Sequence, residues 1–195
     1  MTSSLRSIEP ESIKNHGALK AVQFPSSKFP LHLVAPQGQL QIHKASFRGT
    51  FSIVLSEALR AAGLGRKVLI AQFLKGGVSQ GPNKGINLCG NLNWIRPDIP
   101  CCPTLHAMDR SSSTQNPSYK AIRDIWEFCK EQLEKQTIDK LILDEIGLAC
   151  SLGFVSENDL ISTLSSRPTA TDIILTGTSI SSDIIAMADQ VTELR

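Results

Sequence analysis

The chain has 195 residues, 41% hydrophobic and 19% charged, enough for one domain with a substantial core. A net charge of +2 with basic and acidic residues interspersed, and only 5% aromatic residues, argue against nucleic acid as a partner. No apolar stretch has the length of a membrane span. The five cysteines form no C-x-x-C pair and read as reduced thiols, with Cys129 and Cys150 as core residues.

Residues 1–36 lack an apolar signal core and are broken by Pro, Ser and His, so a flexible arm is expected rather than a secretory leader. The domain proper is expected over 37–195. It opens with a strand at Leu40–Lys44. Phe51, Val54, Leu55, Ala58, Leu59 and Ala62 then share one helix face, with Gly63 expected as a left-handed stop. Val68–Phe73 is short and almost wholly apolar, as in a buried parallel strand. Lys75–Gly90 reads as a long Gly-, Asn- and Pro-rich loop, and Leu92–Ile95 as a strand before an irregular stretch.

Asn116-Pro117 has the form of a helix start. Tyr119, Ile122, Ile125, Trp126, Cys129 and Leu133 give that helix an apolar face, opposite a charged face expected to be solvated. Leu141–Asp144 is an apolar strand ending in two adjacent acids, Asp144 and Glu145. Ser156-x-x-Asp159 resembles a capping box opening a helix that stops before Arg167-Pro168. A strand at Asp172–Thr176, a short helix at Ser182–Ala188 and a strand at Val191–Leu194 complete the pattern. Strand–helix alternation of this kind implies a three-layer α/β domain with a mostly parallel central sheet.

In open parallel sheets, ligands bind at the C-terminal strand ends, which marks Asp144 and Glu145. An acid in this place holds Mg²⁺ in P-loop NTPases. Successive strand residues face opposite ways, so one of the pair is expected to meet the metal directly. The partner segment after the first strand should read G-x-x-x-x-G-K-[ST], but Ala45 to Ser52 reads ASFRGTFS. One glycine, Gly49, remains. Thr50 stands where a lysine belongs and Phe51 where a metal-binding hydroxyl belongs, while Arg48 is cationic one position early. Two readings stay open: a weakened anion site served by Arg48, the hydroxyls of Ser46, Thr50 and Ser52, and the free N–H groups of the helix start; or a phosphate site lost outright, with Phe51 packed into the core. Gln72, Lys75 and Gly76, where the second strand ends, lie at the same sheet edge. No histidine pairs with a Ser or Cys nucleophile in a recognisable way, so a hydrolase triad is not supported.

Several segments, in order, resemble the P-loop-type ATP:corrinoid adenosyltransferases. They are Ala58–Gly63, Gly65–Val68, Gln72–Gly76, Leu143–Glu145, Arg167-Pro168, Leu175–Gly177 and Ala188–Arg195. The resemblance implies a P-loop-NTPase-like fold in a cytoplasmic, often dimeric enzyme of cobalamin biosynthesis. There a Co(I) corrinoid attacks C5′ of ATP and triphosphate departs. It implies ATP as co-substrate, Mg²⁺ held by Glu145 and Asp144, and nucleotide contacts from Ser46, Arg48, Gly49, Thr50, Ser52, Gln72 and Lys75. The chain departs from the family's G-N-G-K-G-K-T-T loop. It lacks a clear counterpart of the family's Phe-Thr-Trp segment between Ile95 and Ser113, and it has Thr176-Gly177-Thr178-Ser179 where the family has T-G-R-G. A non-catalytic descendant that binds a corrinoid or a partner is the alternative.

Overall fold

The computed structural model describes residues 37–48, 51–103 and 117–194, with the backbone but not the side chain of Phe51. The expected arm (1–36), Gly49, Thr50, the packing of Phe51 and the Asn116 cap lie outside the described residues. Seven strands form one sheet: β1 (Leu40–Ala45), β2 (Val68–Gln72), β3 (Ile86–Leu88), β4 (Leu92–Ile95), β5 (Lys140–Asp144), β6 (Asp172–Gly177) and β7 (Gln190–Leu194). Their spatial order is β3-β4-β2-β5-β6-β1-β7. All neighbours are parallel except β3 and β4.

The helices are α1 (Phe51–Gly63), α2 (Pro117–Glu134), α3 (Ile146–Ser151), α4 (Glu157–Ser165) and α5 (Ser182–Ala186). β2 and β5 are buried along their whole length, as continuous apolar runs covered on both faces should be. Alternate residues divide between two cores. Val68, Ile70, Ile142 and Ile174 pack with Val54, Ala58, Ala61 and Ala62 of α1. Leu69, Ala71, Leu141, Leu143, Ile173 and Leu175 pack with Ile122, Ile125, Trp126, Leu160 and Leu164 of α2 and α4. These are the three layers expected from the alternation of elements.

Several local expectations change. Gly63 stays within α1, and the left-handed turn comes at Gly65, with φ +88°. Leu59 is exposed while Ala61 is buried, because the helix presents its small residues to the sheet. The long loop after β2 contains β3, paired antiparallel to β4. Ser156 begins α4 but makes no side-chain cap. Its expected partner Asp159 instead accepts from Trp126 Nε1 at 2.7 Å and Lys130 Nζ at 3.0 Å, tying α4 to α2. Cys129 is buried and Cys150 partly so. No helix among the described residues is long and apolar enough to cross a membrane.

Candidate functional site

Polar side chains form a row across the C-terminal end of the sheet, on the α1 face. Gln72 of β2 is level with Asp144 of β5, and Thr176 of β6 is level with His43 of β1. Gln72, Asp144 and Thr176 each continue a strand alternation whose previous member, Ile70, Ile142 or Ile174, is apolar core. The switch from apolar to polar at one level marks where the core ends and the ligand edge begins.

Asp144 is 2% exposed. Its Oδ1 accepts from Thr176 Oγ1 at 2.6 Å and its Oδ2 from Gln72 Nε2 at 2.7 Å. Gln72 is held in turn: its Oε1 accepts from Trp94 Nε1 at 3.0 Å and Arg96 Nε at 2.8 Å. The Arg96 guanidinium lies over the Trp94 ring, 4.8 Å from its centroid. These bonds fix the Gln72 amide orientation, so its NH₂ must face the carboxylate. Burial pushes the Asp144 carboxyl above its ordinary pKa, and the neighbouring Glu145 charge adds to this. The bonds from Thr176 and Gln72 and the charge of Lys75 oppose it. Desolvation wins because the direct donors are neutral.

The chain turns sharply after Asp144. Glu145 has φ 60° and ψ 27°, a left-handed conformation that is uncommon for a residue with a side chain. It is the N-cap position of α3, and its N–H donates to Thr176 Oγ1 at 3.1 Å. The strand alternation expected for the two acids therefore stops at Asp144. Two glycines allow this turn. A Cβ on Gly147 would lie 2.4 Å from the Ser179 carbonyl oxygen, and Gly177, at φ +145°, passes beside the Glu145 backbone. The Glu145 side chain reaches the loop after β1. Arg48 donates to it through Nε, at 2.6 Å from Oε1, and through Nη2 to Oε2. This two-point grip raises the Arg48 pKa.

The structure thus brings together Arg48, Asp144, Glu145, Gln72 and the half-buried Lys75. Ser46 and Ser52 are exposed on the same loop and at the start of α1; Gly49 and Thr50 lie outside the described residues. Gln72 is 1% exposed and serves the network rather than the surface. Thr176, Trp94 and Arg96 were not singled out as site residues from the sequence. For Thr176 a signal existed, a hydroxyl at a strand end in an otherwise apolar run. His43, which the sequence ties to no nucleophile, lies at the β1 end of the row. Its Nδ1 is buried with no hydrogen-bond partner among the described residues, and burial lowers its pKa.

The expected Mg²⁺ can be tested against this donor set. Both Asp144 oxygens accept hydrogen bonds and both Glu145 oxygens are held by Arg48. No group of three or more His, Cys, Asp or Glu is arranged for a metal among the described residues. A divalent cation wants several oxygen donors with free lone pairs. As folded, these residues do not fit it.

A parallel α/β sheet with a cationic loop facing strand-end acids defines a protein of the P-loop-like class. The family model of the ATP:corrinoid adenosyltransferases BtuR/CobO/CobP matches residues 36–195, and the chain belongs to that family. It is 26% identical over 162 residues to the corrinoid adenosyltransferase of Escherichia coli, covering 82% of this chain and 77% of that one. It is 27% identical over 165 residues to the corrinoid adenosyltransferase CobA of Salmonella typhimurium, with the same coverage. Identity to the corrinoid adenosyltransferase of Pseudomonas aeruginosa is 24% over 164 residues, covering 81% and 75%.

Proposed function

We propose that the chain transfers the 5′-deoxyadenosyl group of ATP to a Co(I) corrinoid in cobalamin biosynthesis, as a cytoplasmic homodimer whose transferase domain spans 37–195. The observation that carries this reading is Arg48. The position of the phosphate loop keeps a cation, and that cation sits at the sheet edge beside Asp144 and Glu145. In the reaction the Co(I) electron pair forms a bond to C5′. The C5′–O bond breaks, and triphosphate leaves with that bond's electrons. The residues' work is then positioning and leaving-group stabilisation. Arg48, with Ser46, Ser52 and Lys75, is the set that would hold the triphosphate. Glu145 orients Arg48, and Asp144 holds the Gln72 and Thr176 side chains beneath.

A second reading has one observation in its favour. Glu145 already satisfies Arg48, as it would in a descendant that keeps the fold and binds a corrinoid or partner without catalysis. The assay is transfer from ATP to a chemically reduced corrinoid, followed by loss of the Co(I) absorbance. Turnover above buffer that falls about tenfold or more in Arg48→Ala, the loss of a charged hydrogen-bond donor, supports the enzyme. Absence of turnover rejects it, and separate titrations with ATP and corrinoid then test the binding descendant.

A further inference from the structure

We propose that Arg48 is the built-in counter-cation of this edge, so that a polyphosphate binds here without a divalent metal. The inference rests on the reading of this edge as a nucleotide site and specifies how that site is charged. Glu145 is 5% exposed, anchored through its N–H by Thr176 and fixed at the start of α3. It is a rigid post rather than a free ligand. Arg48 rests on that post through Nε and Nη2, yet 43% of its side chain is exposed. A guanidinium has five N–H donors in one plane, and the grip on Glu145 uses two from one side. Nη1 makes no hydrogen bond among the described residues, so the opposite side of the fork stays available to phosphate oxygens.

The alternative charge source is closed. A metal at Glu145 would have to share its oxygens with the Arg48 guanidinium or displace it, and one at Asp144 would have to enter the buried network of Thr176 and Gln72. At Asp144 such a move breaks a bond inside a buried polar network, and at Glu145 it sets a dication against a guanidinium already bound there. The loop sequence agrees, because Thr50 and Phe51 replace the lysine and the hydroxyl that accompany a metal. Glu145 therefore has two opposed effects on a metal-free anion. It orients the guanidinium, and its charge partly cancels the attraction.

The test is titration calorimetry with inorganic tripolyphosphate, in EDTA and in excess Mg²⁺, on the full chain and on Arg48→Ala and Glu145→Gln. The expected result is binding in EDTA that Mg²⁺ does not strengthen. Arg48→Ala should weaken it about tenfold or more. Glu145→Gln should tighten metal-free binding several-fold, because the competing charge is gone while an oxygen remains to accept from Arg48. A merely structural Glu145 would not tighten anything, and a metal-ligating Glu145 would weaken Mg²⁺-dependent binding when changed to Gln. Binding that requires Mg²⁺, or that survives Arg48→Ala unchanged, overturns the inference while leaving the nucleotide site in place. No binding under either condition overturns both.

Discussion

Two polar rows lie on the same face of the sheet, separated by the apolar layer Ile70, Ile142 and Ile174, and they are built on opposite rules. At the N-terminal strand ends, Lys140 Nζ lies 2.6 Å from Glu57 of α1 and 3.6 Å from Asp172. Asp172 also meets Arg66 at 2.6 Å and accepts from the Gln39 N–H at 2.9 Å. Every charge there has an opposite charge. Burial alone would raise the Asp172 pKa, but the Gln39 bond and the Arg66 and Lys140 charges outweigh it, and the carboxyl is lowered. At the C-terminal ends the comparable acid, Asp144, has neutral direct donors and is raised. Compensated charge makes a scaffold. Charge left uncompensated, beside a half-exposed guanidinium, makes a site.

The comparison breaks most visibly at Lys140. Removing it in Lys140→Ala leaves Glu57 and Asp172 facing each other without their shared cation. The expected loss is about 3 kcal/mol, as for breaking a largely buried pair, read from urea denaturation. Tripolyphosphate affinity should stay within about twofold of the parent, because the ion pairs of Lys140 are to Glu57 and Asp172 and not to Arg48, Asp144 or Glu145, and sites without shared partners act nearly independently. A variant that keeps its stability but loses the anion would show that the scaffold row belongs to the site.

Thr176→Val is the next largest change and acts on the other row. The side chain keeps its shape but loses the hydroxyl that donates to Asp144 and accepts from the Glu145 N–H. Two buried groups lose a partner at once, so about 2 kcal/mol of stability should go. Anion binding should weaken as well, because Glu145 no longer holds Arg48 in place. Lost stability with unchanged affinity would separate the network from the loop.

Much of the scaffold was legible in the sequence, and the site only in outline. β2, β5 and β6 announce themselves as short apolar runs, and α2 by the spacing of Ile122, Ile125, Trp126, Cys129 and Leu133. β3 escaped because Ile86 and Asn87 are exposed and nothing local distinguishes a three-residue edge strand from loop. α3 escaped because its six residues, IGLACS, lack a polar face and contain Gly147, which reads as a helix breaker until its approach to Ser179 is seen. Asp144 and Glu145 could be placed at a strand end. The left-handed turn that separates their roles could not, and neither could the pairing of Glu145 with a residue 97 positions away. Such a contact is set by strand order, which brings β1 and β5 within one strand of each other.

The smallest effect is the finest test of the two rows, because it turns on the sign of a slope. Asp144 has a folded-state pKa raised above its ordinary 3.8, so the native protein holds that proton more tightly than the unfolded chain. Its favourable contribution is fully present below 3.8 and is lost as pH rises through the raised value. Asp172 has a folded-state pKa lowered from the same 3.8. Its contribution is present above 3.8 and is lost as pH falls through the depressed value. Asp144→Asn is a tolerable replacement, since the amide oxygen can accept from Gln72 and the amide nitrogen can donate to Thr176. Stability of the parent minus that of Asp144→Asn should therefore decline as pH rises above 3.8 and then level off. The same difference for Asp172→Asn should grow as pH rises toward 3.8 and then level off. Urea denaturation of the three proteins across a pH series reads both. Slopes of the same sign would mean that Asp144 is compensated after all, by a cation brought into its row, and the contrast between scaffold and site would fall with it.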